Sequence, residues 1–272
     1  MGNKSAQKGV PAMLGALIGD IAGSIYEWEN IKSKDFPLVQ PGCRMTDDSV
    51  MTAAVASAIL MSDLSDLADF RTNVVGEMQR LGRFYPNLGY GPRFEKWLQA
   101  EKPKPYGSLG NGSAMRVSPV AWAAESMGQC LALARASAEV THNHPDGIAG
   151  AEVTAGAVYL ARQGAGKKAI REYVTRYYPL NFTLDEIRES YRFDVSCAGS
   201  VPQAMEAFLE ADSFEDAIRG AISIGGDSDT IADIAGAVAA AHYGIPREIR
   251  DTFLPFIDGE VRDIYDRFIQ RY

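Results

Sequence analysis

Leu14, Leu17, Ile18, Ile21 and Ile25 recur at the i, i+3, i+4, i+7, i+11 spacing of one buried helix face. Asp20, Ser24 and Glu27 share the opposite side at i, i+4, i+7. After Ser49, the alanine-rich run from Val50 to Leu60 predicts a second helix. The same periodicity places further helices near 66–82, 129–140, 147–162, 168–177, 200–210, 214–223, 230–242 and 258–270. Thr183 with Glu186 forms a capping box, and Ser213 precedes Phe214-Glu215-Asp216, which puts acid in a first turn. Alternation of Val, Ile and Thr of the kind that marks strands is nearly absent, so the chain is expected to be all-α.

The least helical stretch runs from about Phe84 to Pro119 and is rich in Gly and Pro. Its aromatics Tyr85, Tyr90, Phe94, Trp97 and Tyr106 favour a packed functional loop over an interdomain linker. No long repeat is evident. Asp20-Ile-Ala-Gly is echoed by Asp233-Ile-Ala-Gly, and both read as small-residue helix surfaces suited to close packing. The expected organisation is one compact helical domain over 1–272, with a flexible segment over 1–12.

Composition narrows the function. Net charge is −8 and the sequence pI about 5.0, with no basic footprint for nucleic acid. The short basic stretches at Lys102–Lys104 and Lys167-Lys168 read as solvated faces. An acidic chain that takes an anionic ligand needs local neutralisation, which bound cations can supply. Cys43, Cys130 and Cys197 show neither paired nor CxxC spacing, which argues against a disulfide framework and a structural zinc site. Cys197 reads as a buried spectator thiol rather than a nucleophile. The apolar stretch Ile231 to Ala241 is broken by Asp233 and too short to cross a bilayer, so a cytoplasmic protein is expected.

Four segments carry candidate chemistry. Thr46-Asp47-Asp48-Ser49 and Gly226-Asp227-Ser228-Asp229-Thr230 each open a helix, where acids and hydroxyls serve as caps. One acid would suffice for a cap, however, and adjacent acids repel. Together the two segments offer hard oxygen ligands, which suit Mg²⁺ or Mn²⁺ rather than zinc. Gly107-Ser108-Leu109-Gly110-Asn111-Gly112 lets backbone N–H groups approach an anion, although a simple turn explains such glycines equally well. Thr141-His142-Asn143-His144 holds two of three histidines without a further soft ligand, so a ligand-contacting His or helix-start polarity is expected rather than zinc.

In order along the chain, Gly15–Glu27, Thr46–Ser49, Gly110–Arg116, Thr141–His144 and Gly225–Thr230 resemble the motifs of the ADP-ribosylglycohydrolase family. The resemblance implies a compact all-helical fold with two Mg²⁺ or Mn²⁺ ions in a cleft, acting on ADP-ribosylated proteins or small molecules and releasing ADP-ribose. It implies that Thr46, Asp47, Asp48, Asp227, Asp229 and Thr230 ligate the metals. Glu27 matches the acid of the chemical step, with Asp47 and Asp227 as further candidates to activate water. Gly107, Ser108, Asn111 and Gly112 match the loop for the diphosphate and distal ribose, and His142 matches a substrate contact. Family members often carry an aromatic before Gly-Asn-Gly that stacks on adenine. Leu109 stands there in this chain, which moves the expected adenine contact to Tyr106.

Two other classes fit parts of this pattern. An all-α prenyl-transferring synthase also carries two Asp-rich segments, but its five-residue pattern needs an acid where Met51 and Thr52 stand. A non-catalytic binder on the same fold, as in a lens crystallin of the family, would have no need of a complete ligand set.

Overall fold

The computed structural model describes residues 12–257 and 259–272. The expected flexible stretch over 1–12 lies outside them except for Ala12, which begins the first helix. The described residues form fifteen α-helices and a short 3-10 turn, with one isolated bridge between Gly110 and Ser196 and no strand. In chain order they are α1 (Ala12–Gly23), α2 (Asp47–Met61), α3 (Leu67–Phe84), α4 (Pro92–Gln99), α5 (Gly112–Met115), α6 (Ser118–Ala123), α7 (Met127–Glu139) and α8 (Pro145–Arg162). They continue with α9 (Lys167–Val174), α10 (Leu184–Ile187), α11 (Cys197–Glu210), α12 (Phe214–Ser223), α13 (Ser228–Tyr243), α14 (Arg247–Phe253) and α15 (Gly259–Arg271). None of the described helices is long and apolar enough to cross a membrane.

At the centre α1 lies directly along α13, and both are buried nearly throughout. The approach depends on small residues. A Cβ on Gly15 would strike the Gly236 carbonyl, one on Gly19 the Ala232 backbone, and one on Gly23 the Asp229 backbone. The spacing of four residues keeps these glycines on one face of α1, so the two backbones touch along about two turns. The paired Asp-Ile-Ala-Gly segments are therefore close-packing surfaces, as their small residues predict. This contact brings the C-terminal end of α1 against the N-terminal end of α13.

α2, buried from Asp48 to Ile59, joins the same layer, and α8, α11 and α12 close the other side. The Gly- and Pro-rich stretch contains two helices, α4 and α5, and the start of α6, which its sequence concealed. In α4, Pro92 supplies the pre-set φ of a first helical position, and Phe94, Trp97 and Leu98 go into the core. α11 starts three residues earlier than its apolar periodicity suggests. Ser196 caps it at Gly199 N, and the helix carries Pro202 in its interior.

Candidate active site

Two helix N-termini and one loop meet in a cleft of about 570 Å³, within the usual range for small-molecule sites of roughly 300–1,000 Å³. α2 contributes Asp47 and Asp48 in its first turn, and α13 contributes Asp229 and Thr230 just after Asp227. Acids at these positions are favoured by the positive ends of the helix dipoles. The loop after α1 contributes Glu27. Carboxylate oxygens of Glu27, Asp227 and Asp229 lie within 4.8 Å of one another.

Capping and ligation can be separated residue by residue. Thr46 does cap α2, accepting from Asp48 N, while its hydroxyl hydrogen goes to Asp20 Oδ1 at 2.6 Å. It sits behind the cleft wall rather than on it. Asp227 occupies the cap position of α13 yet makes no side-chain cap; its carboxylate accepts from Asn111 Nδ2 at 2.6 Å. Asp48 Oδ2 is buried with no partner among the described residues.

Crowding and burial raise every one of these acids. Burial, with the neighbouring charges of Asp227 and Asp20, lifts Glu27 to about 7. The Trp28 indole and the Arg44 charge pull it back only in part. Asp47, Asp48 and Asp229 are held well above the ordinary carboxylate range, first by burial and then by neighbouring acids: Asp20 and Asp227 for Asp47, Asp229 and Asp47 for Asp48, and Asp227 and Glu27 for Asp229. Asp227 is raised by burial despite the hydrogen bond from Asn111. A set of buried oxygen donors, one of them orphaned, with no basic side chain bonded into it, fits hard divalent cations.

Asp20 organises this arrangement from within the protein. Its fully buried carboxylate accepts from Thr46 N, Thr46 Oγ1, Ser49 N and Ser49 Oγ, fixing the first turn of α2 against α1. Sequence reasoning placed it on the polar face with Glu27 but gave it no role; the acid inside a Gly-flanked, otherwise apolar helix was the available signal. Asn30 is a second such residue. Its Nδ2 donates to the carbonyls of Tyr26, Glu27 and Gly226, and its Oδ1 accepts from Gly226 N. Lys32 adds bonds to the Tyr191 and Ile224 carbonyls. The Glu27 loop is thereby sewn to the turn that carries Asp227. Gly225 and Gly226 have φ of 67° and 76°, left-handed conformations that suit glycine.

The Gly-rich part of the cleft lining is built around Arg116. Its buried guanidinium donates to the carbonyls of Gly112 and Ser137 and to Thr141 Oγ1. Thr141 Oγ1 is also hydrogen-bonded to His142 Nδ1 at 2.7 Å, which fixes the ring's orientation. Burial and the charge of Arg116 lower the His142 pKa, so the ring is neutral. Ser108, Gly110, Asn111, Gly112 and His142 line the cleft, as does Tyr106, beneath the Arg93 guanidinium at 4.7 Å. Gly107 lies at its edge, with its N–H donated to Asn143. The side chain of Asn111, expected at a diphosphate, is instead divided between Asp227 and Ser200. Leu109 is half exposed and away from the cleft, and His144 caps α8 through Asp146 N. Cys197 is a buried free thiol bonded to the Gly110 carbonyl, as a spectator would be.

The family model described as ADP-ribosylglycohydrolase matches residues 1–272. Among curated proteins, ADP-ribosylhydrolase ARH3 of Mus musculus is 28% identical, over 86% of this chain and 83% of its own. ADP-ribosylarginine hydrolase Tri1 of Pseudomonas putida is 27% identical, over 86% and 70% respectively. ADP-ribosyl-[dinitrogen reductase] glycohydrolase of Rhodospirillum rubrum is also 27% identical, over 86% and 85%. A solved structure titled ADP-ribosylglycohydrolase-related protein complex superposes with a TM-score of 0.71 at 24% identity, covering 97% of each chain, and shares the fold. With the whole chain matched and the acid cluster assembled from the expected segments, the protein belongs to the ADP-ribosylglycohydrolase family.

Proposed function

We propose that this chain, acting as a single domain, is a divalent-cation-dependent hydrolase that cleaves the glycosidic bond between ADP-ribose and an acceptor. The relatives named above, all hydrolases of ADP-ribosyl groups by name, support the reading. The observation that carries it is the grouping of Glu27 with Asp227 and Asp229 in one cleft with the Gly-rich loop and His142.

Asp47, Asp48, Asp227 and Asp229, with the hydroxyl of Thr230, would hold two Mg²⁺ or Mn²⁺ ions, while Thr46, which caps α2 and bonds Asp20 behind the wall, would not. Bound there, such cations supply Lewis-acid polarisation and neutralise the clustered charge. The chain's own groups do the rest. Ser108, Gly112 and Nε2 of His142, with Gly107 beside them, take the diphosphate and distal ribose, while the Asn111 side chain stays on Asp227 and Ser200. Tyr106 takes the adenine. In the reaction, the bond between C1″ and the acceptor breaks with its electron pair leaving on the acceptor atom. The oxygen of water bonds to C1″, and one water proton ends on the acceptor. Glu27, whose carboxyl is raised first by burial, is the group that can hold that proton and deliver it. Asp47 or Asp227, on the same cleft wall, can receive a proton from water. The three buried free cysteines suit a reducing cytoplasm.

Glu27→Gln keeps shape and hydrogen bonding but removes proton transfer, a contribution of roughly 10²–10⁴-fold. The variant is expected to bind ADP-ribose in calorimetry like the parent while hydrolysis falls at least about a hundredfold. Unchanged turnover would return Glu27 to an ordinary surface role.

A further inference from the structure

The loop over 85–91, between α3 and α4, is folded around Asp47. The Leu88 carbonyl accepts from Asp47 N at 3.0 Å, a donor that the first turn of a helix leaves without an internal partner. A Cβ on Gly89 would come within 3.0 Å of Asp47 Oδ1. To approach so closely the backbone turns left-handed twice, at Asn87 with φ of 63° and at Gly89 with φ of 104°. Among the described residues Asn87 is the one non-glycine to do so. Such a conformation persists only where its surroundings hold it, and here it delivers the next residue but two, Tyr90, to the cleft wall that Asp47 also lines.

Tyr90 is 7% exposed, and its hydroxyl has no hydrogen-bond partner among the described residues. The ring is set by the core: it lies 5.8 Å from that of Phe94, which in turn stacks on Trp97 at 5.5 Å. Packing therefore explains a ring at this position but not the oxygen on it. A phenylalanine would bury the same faces without leaving a donor unpaired. Burial and then the nearby charge of Asp47 push the pKa of the hydroxyl up, so it keeps its hydrogen and remains a donor. The acids of this wall differ in how they are steadied. Asn111 donates to the Asp227 carboxylate, whereas Asp47 is eased by its own backbone N–H. Tyr90 is the hydroxyl beside it.

We propose that Tyr90 is a positioning residue for Asp47: when that carboxylate takes a divalent cation, the phenol donates to it and fixes the way it faces. The inference rests on the reading of this cleft as a cation-dependent hydrolase. A carboxylate loses rotamer freedom on ligating a metal, and a donor that already restrains it lessens that loss. Hydrogen bonds to ligating carboxylates serve this purpose, and their removal typically weakens metal binding by roughly 10–100-fold. Tyr90 then does for Asp47 what Asn111 does for Asp227.

Tyr90→Phe removes the oxygen and keeps the ring. Calorimetric titration of Mn²⁺ alone into the metal-free parent and variant reads the effect directly. The apparent Kd is expected to rise by about tenfold or more in the variant. The Mn²⁺ concentration for half-maximal hydrolysis should rise in parallel, so that added Mn²⁺ recovers most of the lost turnover. Without metal, the variant should melt at or above the temperature of the parent, because an unpaired buried hydroxyl has been removed. A role confined to packing would give the opposite pattern, a lower melt with an unchanged Kd, and would overturn the assignment. An unchanged Kd with an unchanged melt would overturn it too, and either result leaves the hydrolase reading standing. A parent that takes up no Mn²⁺ would overturn the cation-dependent reading, and the role of Tyr90 with it.

Discussion

At Asp20 four hydrogen bonds converge on one fully buried carboxylate, all from Thr46 and Ser49. Burial raises its pKa while those bonds oppose the rise, so the acid serves as an internal acceptor whose bonds aim the neighbouring Asp47 and Asp48. Asp47 and Asp229 stand differently: their raised pKa values come from burial and from other acids, with few compensating donors. Asp47→Asn and Asp229→Asn preserve shape and any capping role but remove most affinity for a hard dication. Each is expected to abolish turnover while leaving the far-UV circular dichroism and the cooperative melt in place. Near-normal activity of both variants at low metal would make these residues caps and nothing more.

The decisive element is the pair α1 and α13, because their contact places Glu27 beside Asp227. Gly19→Ala drives a Cβ into the backbone of Ala232, where no flexible side chain can yield. Overpacking of this kind typically costs about 1–3 kcal/mol, and the helices must separate to relieve it. Urea denaturation should show that loss of stability, together with a loss of activity larger than the remaining folded fraction explains. An unchanged midpoint would mean that the two backbones do not touch there. The periodicity of α1 and the small residues of both helices made two close-packing surfaces legible in the sequence, but not that they pack on each other. α4 was hidden because eight residues between Gly and Pro signals are too few for a periodic pattern to stand out. The roles of Asn30 and Asn111 were hidden for another reason. An asparagine's partners are set by tertiary approach, here of Gly226 and Asp227 from about two hundred and one hundred residues away. Sequence could name the acids of the site, but not the neutral residues that aim them.

Over the whole molecule, an acidic cluster without basic partners makes stability depend on protons and cations together. Glu27 has its pKa raised from 4.5 to about 7 on folding, and Asp47, Asp48, Asp227 and Asp229 are shifted in the same direction. A carboxyl with a raised folded-state pKa binds its proton more tightly when folded. Its contribution to stability is therefore full below the unfolded value and is lost as pH rises through the folded one. The metal-free protein should lose stability between pH 4.5 and about 7 from Glu27, and lose more as pH rises through the raised values of the four aspartates. Mg²⁺ or Mn²⁺, binding only the folded state, should restore it by roughly 2.7 kcal/mol at a hundred times its Kd. Thermal melts with metal and with EDTA should therefore diverge more at about pH 8 than at about pH 5. Coincident midpoints at both pH values would contradict a metal-binding cluster.

The central claim is that this cleft hydrolyses an ADP-ribosyl bond, and the most direct test is chromatographic detection of free ADP-ribose. Purified protein would be incubated with arginine- and serine-linked conjugates, with Mg²⁺ or Mn²⁺ and in parallel with EDTA. The site described here predicts stoichiometric release of ADP-ribose from at least one conjugate with metal, and none with EDTA. Conjugates left intact by metal-loaded protein that still binds free ADP-ribose would contradict it, and would make the cleft a binding site without catalysis.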